Sequence, residues 1–146
     1  MVSALVLIDT IWPQVTILAP GNLSKLTSNT VPYSINIAEK NIDKIWYVLD
    51  GGAMVIVGGN GSISVLDGTH VLRFYANDTA GHVNVSAAVL FAIDTINPFV
   101  TITSPSNGTS SPSATITLTT RVMDANFDSI RFLKAINKRY EGEKRR

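Results

Sequence analysis

The sequence contains no cysteine. That excludes disulfides and thiolate metal sites. Charge is sparse, at 16% of residues, and histidine occurs twice, as His70 and His82. Neither histidine belongs to a HExxH or similar pattern, and no glycine-rich loop precedes a helix signal. No catalytic residue is therefore assigned, and the chain is expected not to be an enzyme. No segment approaches the roughly twenty apolar residues that span a bilayer. The opening run Val2–Ile8 is apolar but short, and it lacks the basic start and small-residue cleavage site of a signal peptide.

The chain has 146 residues, of which 45% are apolar. That is enough for a buried core. The apolar residues lean towards Val and Ile, with abundant Thr and Ser, a mixture that suits half-buried strands. The formal charge of +1 conceals an uneven distribution. Residues 134–146 hold six of the twelve basic residues and two of the eleven acids, so the remainder is acidic by three charges. Nucleic-acid binding would need basic residues spread over a folded face, so nucleic acid is not an expected partner.

An internal repeat organises the chain. Residues 8–18 read IDTIWPQVTIL and residues 93–103 read IDTINPFVTIT. At this offset of 85, fifteen of 41 gapless positions are identical between 8–48 and 93–133. The expected organisation follows. Residues 1–8 are the last strand of a preceding repeat, and 9–93 form a complete domain. Residues 94–133 form the first half of another, and 134–146 are a basic charged tail.

Strand signals recur about every ten residues, with turns between them, as in a β-sandwich. Strands are expected at about 14–19, 30–38, 43–49, 53–57, 62–66, 70–77 and 83–93. Asp50-Gly51-Gly52, Asn60-Gly61 and Asp67-Gly68 supply positive-φ turns. Asp78 is expected to accept backbone N–H bonds across the turn to Gly81. Side chains alternate along a strand. Val15, Ile17, Val31, Tyr33, Ile35 and Ile37 should therefore face the core, as should their counterparts Val100, Ile102, Ile116, Leu118, Thr120 and Val122. Ile45, Tyr47 and Leu49 form another inward set, which points Trp46 outward. Trp46 and Tyr75 are then a candidate aromatic binding patch.

The run Tyr75-Ala76-Asn77-Asp78-Thr79-Ala80-Gly81 resembles bacterial and archaeal Ig-like repeats of large secreted or cell-surface proteins. So do the hairpin Trp46–Gly52 and the linker Ile93–Pro98. The archaeal repeats are the most similar. The resemblance covers about residues 1–133. It implies tandem immunoglobulin-like, or fibronectin-like, β-sandwiches outside the cell. The implied role is a structural spacer or adhesive module, with neighbouring repeats as partners and no catalytic residue. The alternatives are a carbohydrate- or protein-binding accessory module of a secreted enzyme, partnered by a glycan or surface protein, and a self-assembling filament subunit. In the last case a lone first strand and an incomplete second sandwich would associate by strand addition.

Two kinds of site remain. N-glycosylation sequons occur at Asn22, Asn60, Asn77, Asn84 and Asn107, where chance predicts about two. All five are expected in turns or on outward positions. Asp9, Asp78 and Asp94 fall near domain ends, where carboxylates can hold Ca²⁺. Calcium needs six to eight oxygens, and spacing alone does not assemble them, so no metal site is assigned.

Overall fold

The computed structural model describes residues 8–126 and 128–133. The expected strand at 1–8 and the tail at 134–146 lie almost wholly outside them. The chain divides after Ile96 into two compact units.

The first unit is a two-sheet sandwich. One sheet has the order β1 (Gln14–Ala19), β3 (Thr30–Ala38), β6 (Gly61–Ser64). The other runs β2 (Ser24–Leu26), β9 (Val89–Ile93), β7 (Gly68–Asp78), β4 (Ile42–Leu49), β5 (Met54–Val57), and β8 (Val83–Val85) also pairs with β7. Alternation decides which side chains meet. Val15, Val31, Tyr33, Ile63 and Val65 are buried from one sheet, against Leu72, Phe74, Ala76, Val89, Phe91 and Ile93 from the other. Ile17, Ile35, Ile37, Ile45, Tyr47 and Leu49 pack around them, so the inward sets read from the sequence are those found. Phe74 lies at the centre, with its ring 5.0 Å from Tyr33 and 5.7 Å from Tyr47.

Three local features differ from expectation. The first is β2, which has no strand signal of its own. The chain leaves β1 at a cis Ala19-Pro20 bond and turns at Leu23, whose φ is 64°. It then pairs parallel with β9, Ser24 opposite Phe91 and Leu26 opposite Ile93. Asn22 Oδ1 accepts the Leu90 N–H at 3.0 Å and the Leu23 N–H donates to the Leu90 carbonyl. The second is the last strand, which is broken at Ser86. There a buried hydroxyl accepts the Phe74 N–H at 3.0 Å, while the Ser86 N–H donates to the Phe74 carbonyl. The third is the turn before β6, where the positive φ falls on Gly59, at 146°, rather than on Asn60 or Gly61. Gly61 is needed for another reason. A Cβ there would lie 2.7 Å from the Tyr33 hydroxyl oxygen. The Asp50-Gly51 turn has positive φ at both residues, as expected.

In the second unit β10 (Phe99–Ser104) pairs with β11 (Thr119–Met123). The register of this pair is that of β1 with β3 displaced by 85. Gln14 faces Ala38 and Phe99 faces Met123, and both pairs shift register after the third-last β-strand position, at Ile17/Ala19 and Ile102/Ser104. The cis Ser104-Pro105 bond repeats Ala19-Pro20, and Gly108, with φ 80°, repeats Leu23. The expected core face of this unit is not buried. Val100, Ile102, Ile116 and Leu118 are exposed, because no strands equivalent to β6, β7 and β9 oppose them among the described residues.

Candidate functional site

Trp46 stands on the outer face of β4, directly opposite Tyr75 on β7. The two rings are parallel within 4°, with centroids 5.5 Å apart. Register extends the pair into a row across four strands, because Ile56 of β5 lies opposite Trp46 and Val85 of β8 lies opposite Tyr75. Met54 and Val48 form the next row. The pairing has a chemical consequence. Each ring spends one face on the other, so the pair does not offer two free flat faces for stacking on a sugar. It offers an apolar ridge suited to packing against another apolar surface.

A second cluster fastens the segment that enters the sandwich. Asp78, on the inward face of β7, is fully buried. Its Oδ1 accepts the N–H groups of Ala80 and His82, each at 2.9 Å, and its Oδ2 meets His82 Nδ1 at 2.8 Å. Burial pushes the Asp78 carboxyl up, but the His82 side chain, the two backbone donors and the nearby imidazole outweigh it and hold the carboxyl below its ordinary value. The carboxylate of Asp9 joins this group. The Ile11 N–H and the Asn41 amide, both at 3.0 Å, hold Asp9 below its ordinary value too. Trp12 stacks on His82 at 5.0 Å, and Asn84 Nδ2 donates to the Pro13 carbonyl at 2.7 Å. Residues 9–13 are thus held at three points. On the exit side, the Thr95 N–H and hydroxyl donate to the Asp67 carboxylate at 3.0–3.1 Å.

The three candidate calcium aspartates are therefore separated. Asp9 and Asp78 meet, with His82 as a third member, while Asp94 is not in the group. Both carboxylates already accept N–H bonds, and two carboxylates fall far short of six to eight oxygens. The arrangement is a hydrogen-bonded clasp. Sequence reasoning missed His82 and Asn41, although Asn41, matched by Asn126, is one of the fifteen positions identical between the two copies.

His70 forms another such lock. Its Nδ1 lies 2.8 Å from Asp50 Oδ2 and its Nε2 lies 2.8 Å from the Leu66 carbonyl. Both partners are acceptors, so both bonds form only when the ring is doubly protonated. Asp50 chiefly, with help from the Leu66 carbonyl, raises the His70 pKa against the opposing effect of burial. Asp50 Oδ1 also accepts the Val71 N–H at 2.7 Å, which ties the β4–β5 turn to β7.

The sequons fall into two groups. Asn22, Asn60 and Asn107 are exposed. Asn22 and Asn60 accept backbone N–H groups through Oδ1, from Leu90 and Ile35. Asn77 and Asn84 have committed the nitrogen that a glycan would use, Asn77 to Asp43 at 3.0 Å and Asn84 to Pro13. Asn84 also corrects the expectation that every sequon points outward. It pairs with Ala76, an inward residue of β7, so it faces the sandwich and is half-buried.

No family model and no curated protein matches the chain. Among solved structures, the chain is similar to the fibronectin(III)-like modules of Clostridium thermocellum CbhA. The identity is 16% and the TM-score 0.50, over 57% of this chain and 99% of that one. A likeness at that identity speaks to fold. Together with the three- and six-stranded sheets packed face to face, it makes this an all-β protein with an immunoglobulin-like, fibronectin(III)-like sandwich.

Proposed function

We propose that the chain is a non-catalytic structural module, a spacer or adhesive segment of a multi-domain protein that is secreted or displayed on a cell surface. One observation carries this reading. The β1–β3 pairing, its register shift and its following turn all recur 85 residues later in the same chain. Tandem Ig-like domains, of the kind that the sequence resembles in bacterial and archaeal surface proteins, have that organisation. The mechanism is mechanical. Asp9, Trp12 and Pro13 are fastened to the sandwich they enter, and Thr95 is fastened to the sandwich it leaves. Little linker remains free to swing, and proline restricts what does. Exposed sequons at Asn22, Asn60 and Asn107 fit a glycosylated surface protein.

The test is labelling of intact producing cells with antibody against residues 9–93. Labelling of intact cells, or recovery of the protein from the medium, supports the reading. Signal that appears only after lysis overturns it. The apolar Ile56–Trp46–Tyr75–Val85 row favours a second reading, a protein-binding accessory module of a secreted enzyme. A catalytic domain in the same reading frame would select it.

A further inference from the structure

Strand β5 is unlike the other edges of the first unit. β2 is three residues long and carries Lys25, and β8 is also three residues long. β1 has a register irregularity and ends at Pro20. β6 is glycine or serine at three of its four positions. Such features blunt an edge against pairing. β5 has none of them. It reads Met-Val-Ile-Val, lies at the end of its sheet, and has no strand neighbour on its outer side among the described residues.

Apart from Val57, which packs against the core, its side chains are uncovered. Met54 and Ile56, on the outer face, are 62% and 60% exposed. Val55 points to the inner face, opposite Tyr47, yet is 42% exposed. The cause is the mismatch between the sheets. Five strands lie over three, so the fifth overhangs the sandwich. The strand's own stretch is uncharged, since none of the sixteen residues between Asp50 and Asp67 carries a charge, while Lys44 and Arg73 stand farther back on the outer face. Added Cβ atoms at Gly51, Gly58 and Gly59 would meet nothing within 4 Å, so a second backbone can approach either end of the strand.

We propose that β5 is a homodimerisation edge, paired antiparallel with β5 of a second copy across a two-fold axis at Val55. An uncharged apolar edge has no partner charge to satisfy, and an identical edge is its complement in shape and polarity. The two-fold is perpendicular to the sheet, so paired residues keep the same face. Val55 then meets Val55 of the second copy on the inner side, and Met54 meets Ile56 of the second copy on the outer side. The outer row Val85–Tyr75–Trp46–Ile56 continues onto the second molecule, and each overhang is covered by the other. Four-residue pairing is a small interface, so the dimer belongs to the weak, transient class.

The test is sedimentation of the full chain over a range of concentrations, as wild type, Val55→Lys and Val100→Lys. Val55→Lys sets two ammonium groups face to face at the axis. Val100→Lys places the same charge on the exposed face of the second unit. The expected result is a monomer–dimer equilibrium for wild type and Val100→Lys, weakened at least tenfold by Val55→Lys. If Val55→Lys does not fold, amide exchange of wild-type Met54–Val57 decides. Exchange that slows with protein concentration supports the proposal, and exchange independent of concentration overturns it. Wild type that stays monomeric to about 1 mM overturns it. So does association that Val100→Lys abolishes and Val55→Lys leaves intact.

Discussion

Replacing Phe74 by alanine should remove most of the stability of the first unit. The ring has no solvent exposure and packs on Tyr33 and Tyr47. Truncation forfeits roughly 100–150 Å² of apolar burial, about 3 kcal/mol at ~25 cal/mol per Å². Loss of two tilted aromatic pairs adds about 1–2 kcal/mol. The sum, about 4–5 kcal/mol, sits in the range of about 3–5 kcal/mol typical of buried Phe→Ala changes. A domain of this size has about 5–15 kcal/mol to lose. Its melting temperature should therefore fall by roughly 20 °C. Tryptophan fluorescence during urea or thermal unfolding is the assay. Trp12 and Trp46 are the only tryptophans and both precede Ile96, so the signal reports on this unit alone. Phe132→Ala, at a position 65% exposed, is the control and should change stability by less than about 0.5 kcal/mol. A loss below about 1.5 kcal/mol for Phe74→Ala would refute the description of this core.

Three further outcomes are expected. His70 has a raised pKa and Asp50 a lowered one, so their mutual stabilisation is fullest between the ordinary values of 3.8 and 6.5. It fades as pH rises through the His70 pKa and as pH falls through the Asp50 pKa. The stability gap between wild type and His70→Asn, measured by urea unfolding, should be widest near pH 5 and close towards alkaline pH. A gap that widens there would contradict the double-acceptor geometry. Ser86→Ala should cost about 1–3 kcal/mol in the same assay, because the Phe74 N–H loses its acceptor inside the sandwich. Peptide mass spectrometry of the protein from an N-glycosylating host should find glycans at Asn22, Asn60 or Asn107 and none at Asn84, whose nitrogen is bound to Pro13. Occupancy at Asn84 would contradict that bond.

Much of this was legible from residues alone. The two copies agree on which positions are apolar, and period-two alternation is a local property of the backbone. Val15, Tyr33, Ile45 and Tyr47 could therefore be placed inside and Trp46 outside without knowing what lay across the core. Turn chemistry is local as well, so Asp50-Gly51 and the Asp78 loop were readable from a few residues. The 85-residue offset even carried over to strand register and to the turns at Leu23 and Gly108.

Only the tertiary structure decided what is non-local. Ser24–Leu26 becomes a strand because β9 lies beside it, not because of its own residues. Asn84 turns inward because the break at Ser86 sets its register and the Pro13 carbonyl awaits it. Asp9 and Asp78, 69 positions apart, share a site only once the entering segment folds against the β7–β8 turn. The bare edge of β5 follows from the unequal widths of two sheets. No local pattern encodes that inequality, because each strand reads the same whether or not another lies beyond it.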